Sequence, residues 1–310
     1  MACDASSRLM RSASNKVRRA RPGLGTFVEI TARGDNEAKL HGAIDLAFNA
    51  IARVDRQMSF HHPASEISRI NREAFRRKVK VDPWTWRVLR AAQKLSRESD
   101  GIFDITVARK LMQWNYLPRR YRNVSEGNWR DIILEKNCTV RFRQRVIVDL
   151  GGIAKGFAVD RAVKALKCAG VPSGVVNAGG DLCVFGLKSE LVHLRHPAEP
   201  MRSAGAIKLR ERALATSGIY FAQKRHGRTV VSSLLDGRTC RSSRKVISVS
   251  VAASACMIAD ALTKIVFVLR EKSMPLLARY HADALLLERD GAPLWKFHSP
   301  CDTCDPTRFD

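Results

Sequence analysis

The stretch Val146–Gly170, VIVDLGGIAKGFAVDRAVKALKCAG, changes character at Asp149. Before it, Val146, Ile147 and Val148, with Leu150 just after, predict a short buried strand. Beyond the glycine pair, Val159, Ala162, Val163, Leu166 and Ala169 recur at three- and four-residue steps, one face of a helix. Gly170 and Pro172 stop that helix, as a glycine and a following proline do. A strand, a glycine pair and a helix start expose backbone N–H groups at the positive end of a helix, where an anion can sit. The same glycines also serve a tight connection that needs unusual backbone angles. The junction alone leaves both readings open, and the rest of the chain has to choose.

The chain has 310 residues, enough for one large domain or two intimate ones with an ample core. Its hydrophobic content of 45% and charged content of 27% are those of an ordinary soluble protein. No apolar run approaches the length of a membrane span. The basic start lacks the apolar segment of a secretory signal, and no apolar run precedes Cys3. With eight scattered cysteines, the expected compartment is the cytoplasm. Cys301 and Cys304 make a C-x-x-C pair with no second pair to complete a zinc site, so a flexible tail is expected there. The net charge of +24 favours anionic partners. Dispersed basic residues, without zinc finger, RNP signature or helix-turn-helix, argue against nucleic acid.

Along the chain, residues 1–20 read as a disordered basic terminus, 21–295 as a single domain and 296–310 as the flexible tail. GTFVEITARG alternates like a strand, and AKLHGAIDLAFNAIARVDRQM is an amphipathic helix. SFHHPASEISRINREA is a loop entering a helix capped by Ser65, and the helix after Asp82–Pro83 ends at Gly101. GVVNAGGDLCVFG is a strand running into a second glycine turn, and ALATSGIYFAQKRHGRTVVSSLLDG suggests strands around a third small-residue turn at Ser217–Gly218. SVSVAASACMIADALTKIVFVLR is a strand, a bend and a helix, and ADALLLERDG a last strand and turn. Strands and helices mix without a repeat, which predicts an α+β fold. Asp149 and Asp181 sit beside the first two glycine turns, as residues of ordinary turns or as carboxylates facing a ligand.

In order, these pieces resemble the ApbE family, the FAD:protein FMN transferases. GLGTFVEI is similar to the family's opening M-G-T segment, with Leu24 in the methionine position. VDRQMSFHHPASEISRIN, SDGIFDITV, DLGGIAKGFAVDRA, NAGGDLCVFG, ALATSG and SVSVAASACMIADAL resemble its later blocks, collinear from about Gly23 to Gly291. The resemblance implies an ApbE-like mix of sheets and helices with a flavin site at the glycine-rich turns. It implies cleavage of the FAD pyrophosphate with help from a divalent cation, usually Mg²⁺. FMN would pass to a threonine of an acceptor flavoprotein, with AMP released. By position, Asp149 and Lys155 would contact FAD, and Leu24, Phe60, Ile102, Phe103 and Asp104 would line the flavin or adenine pocket. The Gly152 carbonyl and Asp260 would face the cation, with Asp260 and Lys264 the candidate catalytic pair.

Two positions depart from the family pattern. VSSLLDGRTC has Ser233 where the family carries a histidine, and serine cannot take a proton near neutral pH as imidazole can. His226, seven residues earlier, is a substitute or a surface histidine. In ADALTKIV, Lys264 stands where the family has a threonine that ligates the cation four residues after Asp260. Thr263 is about 100° round the helix and points elsewhere. Asp260 and Lys264 are then either a ligand-facing pair or an ordinary i, i+4 ion pair. The corresponding functional readings are an FMN transferase, or a flavin-binding carrier or accessory protein with weak or lost transfer.

Overall fold

The computed structural model describes residues 15–199, 201–218, 223–242, 248–288 and 291–298. The chain opens with the strands β1 (Asn15–Gly23) and β2 (Thr26–Gly34), followed by α1 (Glu37–Met58) and α2 (Glu66–Glu73). Next come β3 (Val79–Lys80), α3 (Pro83–Glu98), α4 (Ala108–Gln113), β4 (Ile132–Glu135), β5 (Thr139–Phe142) and α5 (Ala154–Cys168). Six strands follow: β6 (Ser173–Ala178), β7 (Asp181–Phe185), β8 (Glu190–Arg195), β9 (Ser203–Leu209), β10 (Arg212–Gly218) and β11 (Gln223–His226). The last elements are β12 (Thr229–Ser232), β13 (Ser248–Ala253), α6 (Cys256–Leu269), α7 (Met274–Arg279), β14 (Asp283–Leu287) and β15 (Pro293–Phe297).

An eight-stranded sheet in the order β1-β2-β6-β7-β10-β13-β14-β15 organises the fold, with every pairing antiparallel. Successive side chains of a strand point to opposite faces, and here both faces are covered. Cys183, Phe185, Ala213, Ala215, Val249 and Val251 join the main core with α1, α5 and α6. Their neighbours Leu182, Val184, Leu214 and Ala252 join Leu194, Ile207 and Leu209 of the β8–β9 hairpin on the other side. The chain is thus α+β, as its mixed pattern predicts.

Three expectations need correction. Residues 15–20 belong to β1, which pairs with β2 from Asn15↔Gly34 to Gly23↔Thr26; the rest of 1–20 lies outside the described residues. The strand carries its charge because it is a sheet edge, where Arg18 meets Glu29 and Arg19 and Arg21 meet Asp45. At the other end 296–297 are in β15, and 299–310 lie outside the described residues. ALATSG is no turn: Ser217 and Gly218 lie within β10, opposite Val249 and Ser248. Its small residues allow α6 to pack closely, with Ala213 and Ala215 fully buried.

The opening stretch is corrected too. Val146, Ile147, Val148 and Leu150 are buried but enter no sheet. A side chain replaces the strand partner: Asn71 donates to the Val148 carbonyl at 2.9 Å and accepts the Val148 N–H at 2.8 Å. Asp149 N–H continues the pattern, to the Ile105 carbonyl at 2.8 Å. The helix forms with Val159, Ala162, Val163 and Leu166 buried as predicted, but Ala169 is exposed at its C-cap, since the helix ends at Cys168, and Gly170 follows at φ +80°. Asp160 of α5 accepts the Cys256 and Met257 N–H groups at 2.7 and 2.9 Å and so caps α6. Gly156 lies where the two helices touch; a Cβ there would be 2.3 Å from the Cys256 carbonyl oxygen.

Candidate functional site

Asp149 starts the turn that aims the site. Its carboxylate takes the Gly151 and Leu150 N–H groups; burial pushes its pKa up, against those bonds and the nearby His61. A Cβ at Gly151 would stand 2.9 Å from Asp149 Oδ2, so glycine lets the carboxylate fold back over the turn. A Cβ at Gly152 would begin 3.5 Å from both Lys264 Cε and Phe103 Cε2. The first glycine turn, the aromatic ring after the SDG segment and α6 therefore meet at one spot.

The start of α5 gives a surprise. A helix leaves its first N–H groups without partners inside the helix, and the sequence offers them to an outside anion. One is already taken: Gly156 N–H donates to Asp260 Oδ2 at 3.2 Å. Asp260 is fully buried, and its other oxygen, Oδ1, receives the Lys264 ammonium. Lys264 Nζ also donates to the Asp260 carbonyl at 2.9 Å. Beside them, Lys155 Nζ meets Asp181 Oδ2 at 2.7 Å, with Asp181 only 1% exposed. Thr263 is turned away, its hydroxyl bonded to the Asp260 carbonyl and to Ser217 Oγ, each at 2.7 Å.

Two carboxylates and two ammoniums thus lie together, and Asp181 feels the charge of the other three. Burial, then the charge of Asp260, pushes the Asp181 carboxyl up to about 6, and the two lysines pull against that shift. Burial works against the Lys155 charge, but Asp181 and Asp260 outweigh it and hold its pKa above the ordinary value. Buried charge at this density persists only when paired and hydrogen-bonded, as it is here.

These residues do not fit a divalent cation. Mg²⁺ takes near-octahedral oxygen ligands. Here both Asp260 oxygens are engaged, and residue 264 offers a positive donor instead of an oxygen. Among the described residues, no group of three or more His, Cys, Asp or Glu side chains is placed to hold a metal.

The other predicted positions have different surroundings. Leu24 sits at φ +56° in the two-residue turn between β1 and β2, before Thr26, whose Oγ1 would be 2.6 Å from a Cβ on Gly179. Ile102 is buried in the main core. Phe60 is buried in a separate cluster and meets Tyr121 edge-on at 5.7 Å. Asp104 accepts from the Thr106 N–H and hydroxyl, each at 2.8 Å, and from Trp129 N–H at 3.0 Å. Its carboxylate caps a turn, with burial pushing its pKa up against those bonds. A cavity of about 510 Å³ opens beside it, lined among others by Gly101, Lys110, Trp129 and Gly237. Asp104 alone of the predicted residues lines it, and the charged group lies apart, at Gly152. His226 does not stand in for Ser233. It faces Thr229 at the turn end of the β11–β12 hairpin, whereas Ser232 faces Gln223, about 10 Å away at strand spacing.

Sequence reasoning left Asp181 open between a turn residue and a ligand-facing carboxylate, because an aspartate after two glycines reads first as a turn residue. The Lys155 pairing that gives it a role spans 26 residues. Asn71 was missed, although it closes the RIN segment of a family-like block.

The ApbE family profile matches residues 24–286. An FAD:protein FMN transferase of Rhodobacter capsulatus is 29% identical over 271 residues, covering 82% of this chain and 51% of that protein. The chain therefore spans about half the length of that relative. The Vibrio cholerae FAD:protein FMN transferase is 29% identical over 239 residues, 72% of each chain. Among solved structures, the ApbE protein of Thermotoga maritima superposes with a TM-score of 0.80 at 26% identity, covering 92% of this chain and 97% of that one. The flavin transferase ApbE of Vibrio cholerae superposes with a TM-score of 0.77 at 25% identity and the same coverage.

Proposed function

This chain belongs to the ApbE family, and on that premise we propose that it is an FAD:protein FMN transferase whose acceptor is a flavoprotein threonine. The observation that carries the reading is the convergence at Gly152 of a glycine turn, an aromatic ring and Lys264, with Lys155 close enough to feel the charge of Asp260, the partner of Lys264. A pyrophosphate is a concentrated negative charge, and ammonium groups and exposed backbone at a glycine turn are what offset it. Lys155 and Lys264 hold the phosphates in this reading, Phe103 borders the bound dinucleotide and Asp149 accepts a donor from it. The name shared by the curated relatives supports the same reading.

The step balances without a redox partner. The threonine oxygen forms a bond to the FMN-side phosphorus, and the bond from that phosphorus to the bridging oxygen breaks. AMP leaves with the bridging oxygen and its electron pair, and the hydroxyl proton passes to water. Phosphoryl transfer runs through a loose transition state, so positioning and charge do most of the work. Ser233 in the family's histidine position therefore removes a proton acceptor without removing the main source of catalysis.

The cytoplasm is the proposed compartment. Cys138, Cys168, Cys183, Cys240 and Cys256 are all free thiols. No helix among the described residues is long and apolar enough to cross a membrane.

Incubation of the protein with FAD and a flavoprotein acceptor, followed by weighing the acceptor, tests the proposal. A gain of one FMN less water, with an equal yield of AMP, is expected. Ser233 favours a second reading, a flavin carrier without transfer. FAD binding with an unchanged acceptor mass would select it.

A further inference from the structure

We propose that the Lys264 ammonium is a built-in replacement for a divalent cation, so that this chain binds FAD without metal. The inference rests on the flavin reading of the Gly152 site and adds a claim about what neutralises the ligand there.

The charge count comes first. Asp181 and Asp260 contribute two negative charges, and Lys155 and Lys264 contribute two positive ones. Among these four side chains the charges balance; Asp160, which also feels Asp260 from the α6 cap, lies outside that count. With a threonine at 264 the same group would carry one net negative charge, held in a buried setting by one lysine. Such a deficit recruits a cation from solution. The lysine removes the deficit from within the chain.

Placement agrees with the count. The Lys264 stem runs over Gly152 and beside Phe103, and its ammonium sits on the one Asp260 oxygen that Gly156 N–H does not take. An incoming divalent ion would have to displace that ammonium and remain close to it, and like charges repel at such range.

Donor arithmetic adds the ligand. An ammonium has three donors. Lys264 spends two on Asp260, one on its carboxylate and one on its carbonyl. Lys155 spends one on Asp181. Three N–H donors are left between them. The side chains keep 18% and 33% exposure, so both remain within reach of a solute. Charge-assisted bonds from those donors to phosphate oxygens would supply what a metal does elsewhere.

The test is FAD binding to the full chain, followed by flavin fluorescence, in EDTA and in millimolar Mg²⁺. Wild type should give the same affinity in both. Lys264→Thr should bind FAD about tenfold to a hundredfold more weakly in EDTA, the worth of a charged hydrogen bond, and recover in Mg²⁺. Lys264→Arg should keep EDTA-insensitive binding. A second readout needs no flavin: Mn²⁺ should show no binding to wild type by electron paramagnetic resonance and should bind Lys264→Thr. Circular dichroism establishes that each variant is folded. FAD binding by wild type that requires Mg²⁺, or Mn²⁺ held by wild type, overturns the inference and leaves the flavin reading standing. No FAD binding under any condition takes down both.

Discussion

Asn71→Ala asks whether one side chain holds the backbone that aims the site. Asn71 gives Val148 both of its backbone partners, at 2.9 and 2.8 Å, in a place where Val148 is fully buried. Alanine leaves a buried N–H and a buried C=O unpaired. Each costs about 1–3 kcal/mol, so the expected loss is about 2–6 kcal/mol. At roughly 2 °C per kcal/mol for a chain of this size, the melting temperature should fall by about 4–12 °C. Urea unfolding followed by circular dichroism measures the first quantity, and thermal melting the second. Arg72→Ala, one residue along the same helix, removes only an exposed bond to the Pro63 carbonyl and should cost little. Asn71→Asp adds a sharper test. Ionised, it repels the Val148 carbonyl; protonated, it can again accept from the N–H and donate to the carbonyl. Its stability should therefore approach wild type as pH falls. If Asn71→Ala loses less than about 0.5 kcal/mol, other contacts hold residues 146–150 and the reasoning fails.

Asp149→Ala should weaken FAD binding by roughly 1–3 kcal/mol, measured by flavin fluorescence; unchanged affinity in a folded protein would remove Asp149 from the site. Gly156→Ala drives a methyl to 2.3 Å from the Cys256 carbonyl oxygen, so α5 and α6 must part; urea unfolding should register a loss of at least about 1–3 kcal/mol. Burial pushes the Asp160 carboxyl up to about 6, against its bonds from Met257 and Cys256, so the folded state holds that proton more tightly than the unfolded chain. The resulting stability is fully present below the ordinary carboxyl value and is lost as pH rises through about 6. Relative to Asp160→Asn, wild type should lose about 3 kcal/mol from roughly pH 4 to pH 7, and parallel profiles would refute this. Cys168 is exposed, while Cys183 is buried with its thiol pushed up to about 12, chiefly by burial. Thiol titration should therefore label Cys168 before Cys183, which should react only after denaturation, and equal rates would refute that placement.

What the sequence displayed well was whatever repeats locally. The α5 face, the Ser65 cap and the Asp82–Pro83 start of α3 follow from spacing within a few residues, and each stands in the structure. What it hid was partnership at a distance. Val146–Val148 has the β-branched residues of a strand, yet its partner is a side chain 77 residues earlier. Arg18, Arg19 and Arg21 look solvated, yet β1 exists through its nine-residue pairing with β2 and the acids that meet those arginines. ALATSG resembles a turn because small residues serve two needs, tight bends and close helix packing, and only the tertiary neighbour α6 tells them apart.

The same limit governs the candidate site. Asp260 and Lys264 are four residues apart, so their meeting on one helix face was legible. An exposed pair at that spacing contributes a few tenths of a kcal/mol and has no bearing on a ligand. The context of this one differs: Gly156 N–H takes one Asp260 oxygen, Gly152 underlies the lysine stem, and Asp181 and Lys155 close the charge count. None of those neighbours lies within a hundred residues of Lys264 except Asp181, at a distance of 83. A lysine in a threonine position reads as a lost ligand when the helix is considered alone. Beside two buried carboxylates and one other lysine, it is the residue that balances their charge.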